Sequence, residues 1–369
     1  MLKFHPLTVT DIRPDAQDAI ALSLDVPPEL RAEYCGRPGQ HVVVRARSAG
    51  EQDCRRTYSL INSPGEWPLR IVVRIHRNGM MSRHLAETVR VGEQIEVLPP
   101  NGSLTPRAAG HPSRTYVAFA SGCGITPVLS VTRSLLRDGH RMTLFYGNTT
   151  TERAMCAEEL LGLKDRYVDR LALHFIMSRE PQEAALYNGR IDAPKVRELA
   201  GSLFRCAQVA EYFVCGPGDM IEQVSATLRQ LDVESARIHS EHFTTVEGPV
   251  STVKGAAPTV EGAAAPAPVP IQLSADSAEV TVLMDGRRRA FTMRMHSETV
   301  LDAATRAGLD LPFSCRAGVC STCRTKVVTG AVEMEQNYAL EDWELEQGYI
   351  LACQARVKTP SLALDYDAK

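Results

Sequence analysis

The sequence predicts a multi-domain chain: an antiparallel β-barrel, then an α/β domain on a parallel sheet, then a tether, and last a small domain built round cysteines. Three observations carry this. Residues 1–110 read as short alternating strands, and residues 111–243 alternate apolar strands with amphipathic helices. A stretch without aromatic residues, 244–272, separates both from a segment, 273–369, that holds four suggestively spaced cysteines. With 369 residues, 44% of them hydrophobic, two or three domains are expected.

In the first segment the runs HVVVRAR, LRIVVRIH and EQIEVLPP alternate in polarity and are punctuated by RPGQ, NSPGE, RNGM and PPNG. Period-two alternation between Gly/Pro/Asn turns is the pattern of an antiparallel barrel. In the second segment YVAFA leads through a glycine turn into TPVLSVTRSLLRDG. MTLFYGN, the helical ERAMCAEELLGL and LALHFIMS follow, and EYFVCGPGDM later runs into IEQVSATLRQL. Short apolar strands alternating with amphipathic helices predict a parallel sheet. Residues 244–272, rich in Ala, Pro, Gly and Thr, have too little apolar surface to fold alone and read as a semi-flexible tether.

Composition excludes several classes. A net charge of −3 lacks the basic footprint of nucleic-acid binding. No apolar run approaches the roughly 18 residues of a membrane span. The start, MLKFHPLTV, has no signal-peptide core, so a cytoplasmic protein is expected. Of the ten cysteines, Cys35, Cys54, Cys123, Cys156, Cys206 and Cys215 are scattered and read first as small buried hydrophobes. The ten histidines show no metal-ligand spacing.

The other four cysteines are Cys315, Cys320, Cys323 and Cys353. Their C-x4-C-x2-C spacing, with one distant cysteine, is the plant-type pattern that holds a [2Fe–2S] cluster. Two irons need four thiolates. Three come from one curled loop, where Ala317 and Gly318 let backbone N–H groups approach the sulfurs; the fourth comes from ILACQA. Zinc also takes four thiolates, but usually from two C-x2-C pairs, and the second pair is missing. With its flanks VLDAATRAGLDLPFSC and EDWELEQGYILACQA, the segment resembles the plant-type ferredoxin domain, which implies a β-grasp fold.

RRTYSL at 55–60, preceded by RPGQH and followed by NGMMSRHL, resembles the ferredoxin–NADP⁺ reductase family across residues 1–243. The resemblance implies FAD in the barrel. Arg56 would pair with a flavin phosphate, Tyr58 lie against the ring and Ser59 bond near N5, with Thr57, Ile75 and His76 also in contact. Gly79, Met80, Met81 and Ser82 would open a helix under the pyrophosphate. SGCGITP carries a short glycine motif, and the resemblance implies that Gly122, Gly124, Thr126 and Pro127 bind the nicotinamide dinucleotide, with Cys215, Gly216 and Pro217 beside the nicotinamide. Ser178 and Arg179, at a strand end, would take a 2′-phosphate and select NADPH, with Arg153 and Arg190 as weaker candidates. Glu241 and Phe243, in SEHF, would lie by the ring, and Tyr58, Ser59 and Glu241 would form the catalytic set.

The domain order resembles the reductase components of multicomponent oxygenases. It implies electron flow from NADPH through FAD and the cluster to a di-iron oxygenase acting on phenylacetyl-CoA. An acyl-CoA desaturase or a ring hydroxylase is the alternative acceptor. Residues 273–369 carry 14 Asp and Glu against 11 Lys and Arg, and EDWELE is expected to form an acidic face for a basic acceptor.

Overall fold

A computed structural model describes residues 3–47, 53–107, 113–243, 259–261 and 276–368. Phe4–Phe243 form one compact unit and the residues from Thr244 onward belong to a second.

The first unit begins with β1 (His5–Ala16), β2 (Ala19–Asp25), the short α1 (Arg31–Tyr34), β3 (His41–Arg47), β4 (Asp53–Ser59), β5 (Leu69–Arg74), α2 (Met80–Arg83) and β6 (Gln94–Val97). The strands form one antiparallel sheet in the order β4-β3-β6-β1-β2-β5. A bridge between Leu60 and Ile71 joins its two edges, so the sheet rolls into the expected barrel. Val, Ile and Leu at alternate positions, among them Leu7, Val9, Leu22, Leu24, Val42, Val44, Ile71 and Val73, fill the interior.

The same unit continues with β7 (Thr115–Ser121), α3 (Ile125–Arg137), β8 (Arg141–Asn148), α4 (Ala157–Arg166), β9 (Leu171–Met177), α5 (Ala193–Ser202), β10 (Val209–Gly216), α6 (Gly218–Gln230) and β11 (Ile238–His242). All strands pair in parallel, in the order β11-β10-β7-β8-β9. YVAFA is apolar throughout because both faces of β7 are covered. Tyr116, Ala118 and Ala120 enter one core, Val117 and Phe119 the other. The chain winds outward from β7 through β8 to β9, then returns to β10 and β11 on the opposite side. The carboxyl ends of β7 and β10 therefore flank a topological switch point, where ligands of such sheets bind.

The second unit contains β12 (Thr259–Glu261), β13 (Ser277–Met284), β14 (Arg287–Arg294), α7 (Val300–Arg306), β15 (Arg324–Thr329), β16 (Ala331–Met334), α8 (Asp342–Glu346), β17 (Tyr349–Leu351), β18 (Ala355–Val357) and β19 (Ser361–Asp365). A mixed sheet, β14-β13-β19-β15-β17, packs on α7 through Val280, Val282, Leu301, Ala304 and Ile350, as expected of a β-grasp domain. Thr299 caps α7, accepting from the Asp302 N–H at 3.2 Å.

One expectation is corrected. Residues 259–261, within the expected tether, form β12 and pair antiparallel with β16 in the order β12-β16-β18. An unpaired strand edge recruits extended backbone whatever the surrounding composition. The rest of 244–272 lies outside the described residues. No helix among the described residues is long and apolar enough to cross a membrane.

Candidate functional site

Ser59 closes β4 directly opposite His41 on β3. It is buried, and its hydroxyl has no hydrogen-bond partner. A buried hydroxyl with nothing to bond is costly, so a flavin edge at this place fits the residue. Tyr58 packs against the barrel core, and burial pushes its phenol pKa up. Arg56 is exposed, with Nη1 donating to the Arg55 carbonyl at 2.8 Å. Thr57 is half-buried.

Ile75 and His76 are half-buried at the end of β5. After them the chain turns through Gly79 into α2. A Cβ at Gly79 would lie 2.5 Å from Ser82 Oγ, so a larger residue would displace that hydroxyl. The Ser82 hydroxyl ties its own loop, accepting from His76 N–H and donating to Gly79 O at 3.2 Å each. Met81 lies in the barrel core, whereas Met80 is exposed. A cleft of about 460 Å³ follows the loop, lined by Arg77, Asn78, Gly79, Met80, Arg83, His84 and Glu87. Arg83 is paired there with Glu87 at 2.9 Å, which leaves Arg77 as the cation facing a phosphate-bearing ligand.

At the switch point the two glycine motifs touch. A Cβ at Gly124 would lie 2.0 Å from the Cys215 carbonyl oxygen and 2.8 Å from Gly216 N. Gly122 turns at φ +54°, and Thr126 Oγ1 donates to Cys123 O at 2.9 Å, closing the first turn into α3, which Pro127 enters buried. Cys215 is fully buried; burial first, and Glu241 second, push its thiol pKa up. Pro217 precedes α6, and Phe243 packs against the core that contains Cys215.

Ser178 and Arg179 are exposed just past β9. Among the described residues Arg179 has no acidic partner, whereas Arg190 pairs with Asp219 at 2.9 Å and Arg153 with Asp18 at 2.5 Å. The structure thus sets Arg179 apart from the two weaker candidates.

Sequence reasoning missed His41. Its Nδ1 lies 3.1 Å from Glu241 Oε1, joining the barrel to the nicotinamide domain, and both groups are shielded from solvent. Glu241 is the register partner of Cys215, as His41 is of Ser59. The pair therefore ties the candidate flavin strand to the candidate nicotinamide strand. The one signal was the position of His41 in RPGQH. Arg74 was missed too: it pairs with Asp18 and lies near Cys123 in the glycine turn, where burial nonetheless pushes the Cys123 thiol up.

In the C-terminal unit the loop from Cys315 to Cys323 coils tightly, with Arg316, Gly318 and Ser321 all at positive φ. A Cβ at Gly318 would lie 3.0 Å from Gln336 O. Ala317 N–H points at Cys315 Sγ (3.4 Å), Cys315 N–H at Cys320 Sγ (3.5 Å), and Gln354 Nε2 at Cys353 Sγ (3.7 Å). Cys315 lies near Cys320 and Cys353, and Cys353 near Cys323, with all four as free thiols. N–H groups aimed at the sulfurs suit a two-iron cluster held by these four cysteines.

Within EDWELE, Glu344 does not face solvent, whereas Glu346 is exposed. Glu344 is buried, pairs with Arg324, and completes a capping box with Glu341, whose second oxygen accepts from Trp343 Nε1.

Comparison with known proteins accords with this geometry. Residues 7–105 match an oxidoreductase FAD-binding domain, 119–226 an oxidoreductase NAD-binding domain, and 282–358 a 2Fe-2S iron-sulfur cluster binding domain. A subunit of the 1,2-phenylacetyl-CoA epoxidase of Escherichia coli K12 is 37% identical, covering 100% of this chain and 99% of its own length. The ferredoxin reductase component of 3-ketosteroid-9-alpha-monooxygenase from Rhodococcus rhodochrous is 32% identical over 98% of this chain and 96% of its own. In fold the chain is similar to phthalate dioxygenase reductase (TM-score 0.57, 21% identity, 98% of each chain). The chain belongs to the family of NAD(P)H-dependent oxygenase reductases, oxidoreductases that join FAD-binding, NAD-binding and C-terminal 2Fe-2S domains in one polypeptide and transfer electrons to an oxygenase.

Proposed function

We propose that this chain is the reductase of a di-iron oxygenase that epoxidises phenylacetyl-CoA, and that it draws electrons from NADPH. The observation that carries the acceptor is full-length similarity: the chain aligns end to end with a phenylacetyl-CoA epoxidase polypeptide at 37% identity. Flavin and cluster, when bound, would supply the conversion of a two-electron hydride into single electrons. The chain's own residues do the rest. Ser59 would orient the flavin edge and Tyr58 wall its ring, with Arg56 and the Gly79–Ser82 turn at its phosphates. Gly122, Gly124, Thr126 and Pro127 would hold the dinucleotide against Cys215 and Gly216. Cys315, Cys320, Cys323 and Cys353 would ligate the irons.

The preference for NADPH rests on Arg179, a cation without an acidic partner among the described residues, beside the Ser178 hydroxyl at a strand end. A charge-assisted bond to phosphate contributes about 1.5–3 kcal/mol, or roughly 10- to 100-fold in affinity. Arg179→Ala should therefore lower kcat/KM for NADPH by about that factor and leave NADH within about threefold. Equal losses with both would refute the assignment. A cytoplasmic location is supported by the six cysteines outside the cluster set, none of which is in a disulfide. The acceptor is tested by mixing the purified chain with the phenylacetyl-CoA oxygenase complex, NADPH and substrate, with cytochrome c reduction in parallel. Oxygenated CoA product supports the reading. Rapid cytochrome c reduction without product would move the acceptor to another oxygenase or a desaturase.

A further inference from the structure

Two hydroxyls below the cysteine loop have no partner. Thr325 lies on β15, is 1% exposed, and its Oγ1 bonds to nothing. Tyr366 follows β19, and its Oη is likewise buried and unpartnered. Strands β15 and β19 run antiparallel with Lys326 opposite Asp365, so Thr325 and Tyr366 are next in line at the same end of the sheet. The Tyr366 N–H is fixed there by the Leu283 carbonyl at 2.9 Å.

That end is also where the thiols converge. Cys323 immediately precedes β15, and Arg324 stands opposite Leu351, two residues before Cys353. The Tyr366 ring packs against the core that contains both Cys323 and Cys353. A buried donor left unmade costs about what a lost hydrogen bond costs. A phenol at the surface would bond to water at no such cost, so a hydroxyl held here calls for an acceptor that arrives with the cluster.

We propose that Tyr366 is a positioning residue for the iron–sulfur centre: its hydroxyl donates a hydrogen bond to a sulfur on the Cys323–Cys353 side. The proposal rests on the cysteine loop holding a [2Fe–2S] cluster. A donor aimed at sulfur stabilises the more negative, reduced state more than the oxidised one, so it makes the cluster easier to reduce. Thr325 lies beside Tyr366 as a second, weaker donor.

The test uses the full-length, cluster-loaded protein in a redox titration followed by EPR. Tyr366→Phe removes only the hydroxyl. It should shift the reduction equilibrium threefold to tenfold toward the oxidised cluster, a fall of about 30 to 60 mV at ~59 mV per decade for one electron. Iron content should not change. Thr325→Val should move it in the same direction by less. A potential unmoved in Tyr366→Phe overturns the proposal and leaves the hydroxyl to a buried water. If that variant does not assemble, 3-fluorotyrosine placed at position 366 keeps the ring and strengthens the donor. It should raise the potential, and no rise would overturn the proposal equally. A wild-type protein without a [2Fe–2S] spectrum would instead refute the underlying cluster reading.

Discussion

Gly124→Ala is the sharpest single test of the nicotinamide junction. The glycine sits at φ −59°, a conformation open to alanine, so any effect comes from space alone. An added Cβ would meet the Cys215 carbonyl oxygen at 2.0 Å, its carbon at 2.4 Å and Gly216 N at 2.8 Å. These are backbone atoms and cannot rotate away. Real Cβ contacts stay beyond 3.0 Å, so the two loops must part by about 1 Å. A misplacement of that size costs about 10²-fold in a positioned reaction, which is ~2.7 kcal/mol at 1.36 kcal/mol per decade. Anaerobic stopped-flow reduction of the flavin by NADPH should slow by about that factor. Reduction of both centres by dithionite, which needs no nicotinamide site, should not change. Gly122→Ala provides the contrast. Nothing lies within 4 Å of its Cβ, but φ is +54°, so it should cost stability through strain and much less in hydride transfer. A Gly124→Ala protein reduced by NADPH within about threefold of the wild type would refute the junction.

Two further predictions concern charge. Glu159 on α4 pairs with Arg70 on β5 and Arg133 on α3, and Arg13 on β1 stands 3.7 Å away. Glu159→Gln leaves guanidiniums facing one another across the barrel and the α/β domain. Discounted for partial exposure, the loss should be about 1–3 kcal/mol, read as flavin release at lower urea; an unchanged midpoint would count against it. Glu344→Lys should cost the C-terminal domain its cluster, because it breaks a buried ion pair and a helix cap at once. A stable, cluster-loaded Glu344→Lys protein, slowed only with its oxygenase, would restore the acidic docking face.

The parts of the site that were legible in the sequence are those where the backbone itself is constrained. Gly124 stands where a close backbone approach admits nothing larger, and Gly122 and Gly318 turn at positive φ, so their spacing carries the geometry. The cysteine spacing is legible for a related reason, since one loop must present three sulfurs to a rigid inorganic core. The barrel and the parallel sheet were legible through period-two alternation and through strands apolar on both faces. His41 was not, because its partner Glu241 lies 200 residues away and nothing local marks the pair. Strand β12 was hidden for the opposite reason: an Ala/Pro-rich composition masked three residues whose pairing is decided by the free edge of β16.

EDWELE shows why the acceptor is harder to read than the cofactors. A count of acids treats every carboxylate as solvent-facing, yet in α8 one caps the helix and another neutralises Arg324 from within the fold. The charge of Glu344 is neutralised within the fold, and Trp343 on the same helix is 45% exposed. Cofactor sites repeat because their ligands are fixed molecules that impose spacing on the backbone. An acceptor protein imposes no such spacing. It is met by side chains whose exposure depends on internal pairings, so its identity rests on end-to-end similarity while the cofactors can be argued from a few residues each.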